Sequence, residues 1–363
     1  MKRLGGIAVF LFILLLGSEI GLRLVALVPT ESSTATNDSD IGFRLRPGIP
    51  VSGGQTNRNG FNDREHAPKK PDGGYRIAVI GDSFVFGAVR RQQNFVYLLE
   101  RELSASRLGT EVINLGVPAA GPHNYLALLQ HDARQVQANM AVVMVFLGND
   151  ILQAHPDFRT AIRFGRTVEI LRRPHLLGPS WEYSYVYRLA RAAHTLLLNR
   201  IEPHPDTAFS HSAYLAVEQR RAQAFRTEPD PLTAQSLTAL TDILIEMADM
   251  ARDFGMDYLV VLAPDELQTN PQLWSELVAE KGLEPTDYKF DGIDTRLTAA
   301  LESKGIRVVD LLPSLRTAAK AGSLYLPNDS HWNARGNQVA ADNILAAIRV
   351  RLPSAKNVTH SVQ

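Results

Sequence analysis

Arg76-Ile77-Ala78-Val79-Ile80 runs directly into Gly81-Asp82-Ser83-Phe84, and the reading of this stretch decides the fold. The apolar run is too short for a helix and suits a buried strand, which Gly81 ends. Phe95-Val96-Tyr97-Leu98-Leu99 and Leu103 then carry helical spacing, so a helix follows the strand. The pattern recurs with a strand over Glu111 to Leu115 and a helix over Tyr125 to Val136. Met140 to Leu147 is nearly all apolar, as a strand buried on both faces should be. Leu232 to Phe254 reads as a long helix, Asp257 to Ala263 as a strand and Asp294 to Ser303 as a helix. Ile306 to Leu311 makes a fifth strand, and Ala334 to Leu352 a closing helix. This alternation predicts an α/β fold, a doubly wound three-layer domain around a five-stranded parallel sheet. In such a sheet the strand ends share one edge, where sites assemble.

Composition narrows the function. Of 363 residues, 45% are apolar, enough for a sizeable core. Lys and Arg number 38, as do Asp and Glu, and no basic block stands out, which argues against nucleic acid as a partner. The chain has no cysteine, which removes disulfides, thiolate nucleophiles and cysteine metal sites. No histidine cluster has metal-ligand spacing, so neither a metal nor another cofactor is expected.

Lys2 and Arg3 precede an apolar run, Leu4 to Gly17, which Ile20-Gly21-Leu22 and Leu24 to Val28 extend. The whole stretch is long enough to span a bilayer. Glu19 and Arg23, at i and i+4, can pair on one helix face. Residues 1–28 therefore read as a signal anchor with its positive end in the cytoplasm; a cleaved secretory signal is the alternative. Both put the remainder across the membrane. Residues 29–41 are small and polar and read as a linker. Residues 42–363 form the α/β domain, interrupted at about 151–232 by an insertion expected to act as a lid or side wall.

Four short motifs fall where predicted strands run out: Gly81-Asp82-Ser83-Phe84, Asn114-Leu115-Gly116, Gly148-Asn149-Asp150 and Asp329-Ser330-His331-Trp332. Glycines around Ser83 permit a tight turn exposing its hydroxyl, although a serine there could also simply cap the next helix. The string is not Gly-x-Ser-x-Gly, because Val85 takes the last glycine's place. His331 is the best base among ten histidines, since Asp329 two residues upstream can orient one ring nitrogen while the other faces Ser83. Asp310, at the end of the fifth strand, is the substitute carboxylate. The Asn149 amide can donate to a developing oxyanion, or it can merely shape a turn.

Together these motifs resemble the SGNH (GDSL-type) hydrolase superfamily, specifically its bacterial membrane-anchored members. The resemblance runs from about Phe43 to the last helix and is weakest over the insertion. It implies a flavodoxin-like fold, with Ser83 as nucleophile, its own N–H as one oxyanion donor and Asn149 as another. The family's second block usually has a glycine five residues after its Asn; here that position is Ala119, with Gly116 earlier and Gly121 later. Which of these three backbone N–H groups would serve the oxyanion is left open by the sequence. The final block is often Asp-x-x-His, whereas here Asp329 stands two residues before His331. Asp-x-His-Trp is similar to the variant of polysaccharide O-acetyltransferases in the same superfamily.

The expected function is a membrane-tethered extracytoplasmic serine esterase acting on a small-molecule, glycan or lipid ester. An O-acetyltransferase passing the acyl group to a sugar hydroxyl is the nearest alternative. A non-catalytic envelope binding module is the alternative of another class; the full set of Ser83, Asn149, Asp329 and His331 argues against it.

Overall fold

The computed structural model describes residues 2–27, 34–107, 109–163, 166–171 and 208–351, with a few isolated positions between 184 and 193. Five parallel strands make the sheet: Tyr75–Gly81, Thr110–Gly116, Met140–Phe146, Asp257–Ala263 and Arg307–Asp310. Numbered along the chain, their spatial order is 2-1-3-4-5. That is the flavodoxin-like winding, with its switch point between the first and third strands. The motifs ending in Ser83 and Asn149 leave those two strands side by side.

Side-chain alternation splits the core into two layers. Ala78, Ile80, Ala141, Val143, Val260 and Leu262 face one side, against the helices Pro122–Leu128, Pro231–Asp253 and Gly292–Glu302. Ile77, Val79, Val142, Met144, Leu259 and Val261 face the other, against Phe95–Ser106 and Ala334–Arg349. Because both faces are covered, the central strands are mostly apolar, and strand Met140–Phe146 is apolar and buried at every position.

Helix starts follow local chemistry. Asn94, Asp230 and Asn333 each accept backbone N–H bonds at an N-terminus, and Pro231 takes the first turn where no N–H is needed. The predicted helix Tyr125 to Val136 is composite: Pro122–Leu128 passes into a π turn, Leu129–Ala133.

The linker boundary needs correction. Ala35–Asp38 is a strand paired antiparallel with Gly42–Leu45, so the end of the 29–41 segment belongs to the folded domain. Asp38 closes the turn by accepting from the N–H groups of Asp40 and Ile41, while Ile41 and Phe43 are buried. Arg44 then fixes the hairpin to the body through two bonds to Asp132, at 2.8 and 3.0 Å. The insertion is also partly regular. It contains a second hairpin, Phe158–Arg163 with Arg166–Leu171, and the helix His211–Ala222. Lys2–Leu27 is one helix with an 18-residue apolar window, Gly5–Leu22, long enough to cross a membrane. Glu19 and Arg23 lie on this helix as expected, but the Arg23 side chain is outside the described residues, so their pairing is not described.

Candidate active site

Strand Tyr75–Gly81 delivers Ser83 to the sheet edge as the first residue of a single helical turn, Ser83–Phe86. Asp82 caps this turn: its buried carboxylate accepts from the N–H of Phe84 at 2.9 Å. The turn lies so close to the second strand that a Cβ at Gly116 would stand 2.2 Å from the Phe86 nitrogen. Backbone cannot yield there as a flexible side chain can. Gly116→Ala should therefore cost about 1–3 kcal/mol by overpacking, read as a lower midpoint in thermal unfolding.

The opposite wall is the loop before helix Ala334–Arg349. Trp332 is buried, edge-on to Phe84 with ring centroids 4.9 Å apart, and Asn333 caps the helix. Backbone bonds Leu326 N–H to His331 C=O and Asn333 N–H to Leu324 C=O close the loop on either side of the imidazole. His331 is thereby carried to Ser83 from 248 positions away, with Nε2 2.7 Å from the Ser83 hydroxyl. Its Nδ1 lies 2.5 Å from Asp329 Oδ1, which also accepts the His331 backbone N–H at 3.1 Å. Burial pushes the Asp329 carboxyl up, but the His331 hydrogen bonds outweigh it and hold the group below its ordinary range. The substitute carboxylate is engaged elsewhere: Asp310 caps the N–H of Leu312 at 2.9 Å.

The three open backbone donors can now be sorted. Gly116 N–H is taken by the Asn114 side chain at 2.9 Å, and Gly121 N–H by Asn124 at 2.9 Å. Gly116 is thus not available to an oxyanion. Ala119 N–H makes no hydrogen bond among the described residues, and Ala119 sits at φ 64°, where glycine is normally favoured. The half-buried Asn149 donates from Nδ2 to Asp82 Oδ2 at 3.3 Å, which leaves its second amide hydrogen to point elsewhere. Burial pushes the Asp82 carboxyl up despite the bonds from Phe84 and Asn149.

Two supports were not read from the sequence. Asp150, fully buried, accepts from Phe146 N–H at 2.8 Å and from the Tyr125 hydroxyl at 3.0 Å, fixing the turn that presents Asn149. Its place directly after Asn149 in the motif was the available signal. Arg221, from the insertion helix, lies over the Phe146 ring at 5.1 Å and bonds Glu218 at 2.8 Å. Beside Asn149 a cavity of about 410 Å³ opens, walled by Leu147, Ile151, Phe158, Val217, Arg221 and Leu232. His123 turns Nε2 to the carbonyls of Ala154 and His155 at 3.2 Å. Among the described residues no group of three or more His, Asp or Glu could hold a metal ion.

Residues 221–362, which include Asp329 and His331, match the family described as SGNH hydrolase-like domain, acetyltransferase AlgX. Over these residues the chain is similar to an SGNH hydrolase-like domain. No curated protein matches the chain. Among solved structures, a member of the lipolytic G-D-S-L family from Veillonella parvula is 16% identical, with a TM-score of 0.41 over 77% of this chain and 100% of that one. An acetylxylan esterase from Geobacillus stearothermophilus is 14% identical, with a TM-score of 0.42 over 76% and 94% of the two chains.

Proposed function

We propose that this SGNH hydrolase-like domain is a serine-dependent esterase, and that the Ser83–His331–Asp329 relay carries the reaction. The single observation behind this reading is the continuous hydrogen-bonded line from Ser83 Oγ through both imidazole nitrogens to a carboxylate. Ser83 Oγ attacks the ester carbonyl while His331 Nε2 takes its proton. Asp329 holds the imidazole in the right tautomer and stabilises its cationic form. The tetrahedral oxyanion is met by the N–H groups of Ser83 and Ala119 and by the Asn149 amide, where losing one donor costs roughly 3 kcal/mol of barrier. Collapse expels the alcohol, which receives the proton from His331, and leaves the acyl group on Ser83. A water molecule, deprotonated by the same imidazole, then releases the acid and restores the enzyme.

Transfer of the acyl group to a glycan hydroxyl is the second reading. It is favoured by the match of residues 221–362 to an acetyltransferase family and by the Asp329-Ser330-His331-Trp332 block. The two readings share every step up to the acyl-enzyme and differ only in the second nucleophile. Release of acid from an aryl acetate, with and without a soluble polysaccharide, tests the choice. Acid formed at the same rate in both supports the esterase; acetylated polysaccharide supports the transferase.

The apolar helix Lys2–Leu27 supports a tether that holds residues 42–363 outside the cytoplasm. With Lys2 and Arg3 retained inside, a C-terminal fusion should be active with a reporter that works only outside the cytoplasm. Activity of a strictly cytoplasmic reporter would reverse this topology, and a mature N-terminus beyond residue 17 would replace the anchor by a cleaved signal.

A further inference from the structure

A single turn such as Ser83–Phe86 leaves its last carbonyls without helical partners, and three buried asparagines supply them. Asn114 Nδ2 donates to the Val85 carbonyl at 2.7 Å, joined there by Asn94 Nδ2 at 3.3 Å. Asn62 Nδ2 donates to the Phe86 carbonyl at 2.8 Å. Asn114 comes from strand Thr110–Gly116 and Asn62 from the strap of residues 57–66. That strand is the outer edge of the sheet, so its outward N–H groups need partners from elsewhere. Asp63 Oδ2 supplies one, accepting from the Asn114 N–H at 2.8 Å.

His66 closes the strap onto the strand. Its side chain is 7% exposed, with Nε2 3.0 Å from Asp63 Oδ2 and Nδ1 3.1 Å from Glu111 Oε1. A neutral imidazole carries one N–H and one lone pair, so it would turn the lone pair on one of the two carboxylates. Only the imidazolium donates to both. Other charges meet at this point. Arg76, from the first strand, bonds Glu111 Oε2 at 2.7 Å. Arg64 bonds Glu111 at 3.0 Å and Glu100, on helix Phe95–Ser106, at 2.7 Å. Burial pushes Glu111 up, but its bonds from Arg76, His66 and Arg64 bring it down to about 2, so the carboxylate stays charged. Burial also pushes the His66 ring down, helped by Arg64, but Asp63 and Glu111 outweigh both and hold it above the ordinary histidine range.

We propose that His66 is a positioning residue of the nucleophile turn: as an imidazolium it clasps Asp63 to Glu111, and so keeps Asn62 and Asn114 on the carbonyls that end the Ser83 turn. The effect on rate rests on the serine-esterase reading; the clasp itself does not. Because the folded value lies above the unfolded one, the clasp's stabilisation is complete below the unfolded histidine value of about 6.5 and is lost as pH rises through the folded value. The nucleophile turn should therefore loosen on the alkaline side, where general-base catalysis by an imidazole would otherwise level off at its maximum.

The test uses the full-length chain in detergent, as the parent, His66→Gln and Asp63→Asn. Histidine ring resonances are followed against pH, and the His66 signal is the one absent from His66→Gln. It should titrate above the ordinary value of about 6.5 in the parent, and lower in Asp63→Asn than in the parent. Across the range in which that signal moves, the parent should lose about tenfold in kcat on an aryl acetate with KM little changed, as a misplaced nucleophile would. His66→Gln should start at the low rate and show no alkaline fall over the same range. Melting midpoints should follow, falling with pH in the parent and staying flatter in His66→Gln. A His66 signal that titrates at or below about 6.5 overturns the proposal, as does an alkaline fall in kcat that survives in His66→Gln. If His66→Gln does not fold, a signal whose midpoint drops in Asp63→Asn identifies His66 and supports the clasp; parent signals that all titrate at or below the ordinary value overturn it. Turnover that persists in Ser83→Ala would sink the esterase reading, while the ring titration and melting curves still decide the clasp.

Discussion

Replacing Ser83 with alanine should abolish ester turnover, with kcat falling by roughly 10⁶, while the thermal unfolding midpoint stays near that of the parent. The size follows from what the hydroxyl does. In the proposed mechanism no acyl-enzyme forms without it, and His331 and the proposed oxyanion donors are left around an inert methyl group. The fold should tolerate the change because Ser83 is only half-buried and the turn is capped by the Asp82 carboxylate. Parallel rates of aryl acetate hydrolysis and melting curves check both halves of the expectation.

Asp329→Asn should lower kcat by roughly four orders of magnitude. In the proposed mechanism the carboxylate fixes the imidazole tautomer and stabilises the cation formed when Ser83 gives up its proton; a neutral amide cannot supply that charge. The two-residue spacing reaches because the loop folds back on itself, with Asp329 Oδ1 serving both the ring and the backbone N–H of His331. Asp310→Asn should be mild by comparison, since that carboxylate caps Leu312. Asn328→Ala should also be mild. Asn328 occupies φ 47°, a conformation asparagine tolerates, and among the described residues its side chain bonds the exposed His211 at 3.0 Å. Near-normal rates in Asp329→Asn with collapse in Asp310→Asn would transfer the orienting role.

The sheet was readable because its strands are buried on both faces. Runs such as Met140–Phe146 are apolar without interruption, and each is followed by a helical repeat or a turn motif. The N-terminal hairpin was not. Ala35-Thr36-Asn37-Asp38 has no apolar period, and its pairing depends on an Asp38 turn and on Arg44 reaching Asp132, 88 positions away. The helix Pro271–Lys281 was also passed over, although Asn270, Pro271 and Gly282 bracket it with ordinary start and stop signals. Its weak apolar stripe, with Leu273 and Leu277 buried, concealed it.

For the site, motif order alone put Ser83, Asn149, Asp329 and His331 at one sheet edge. Sorting the backbone donors needed coordinates. The side chains that occupy Gly116 N–H and Gly121 N–H belong to nearby Asn residues whose rotamers no spacing rule gives.

The most direct test of the central claim is active-site labelling. The intact chain is treated with an aryl phosphonate that modifies activated serines, digested and mapped by mass spectrometry. We expect one phosphonyl group, on Ser83, with labelling slowed strongly in Asp329→Asn and lost in Ser83→Ala. A label on any other serine of the folded protein, or none on Ser83 in a chain that still hydrolyses ester, would contradict Ser83 as the nucleophile.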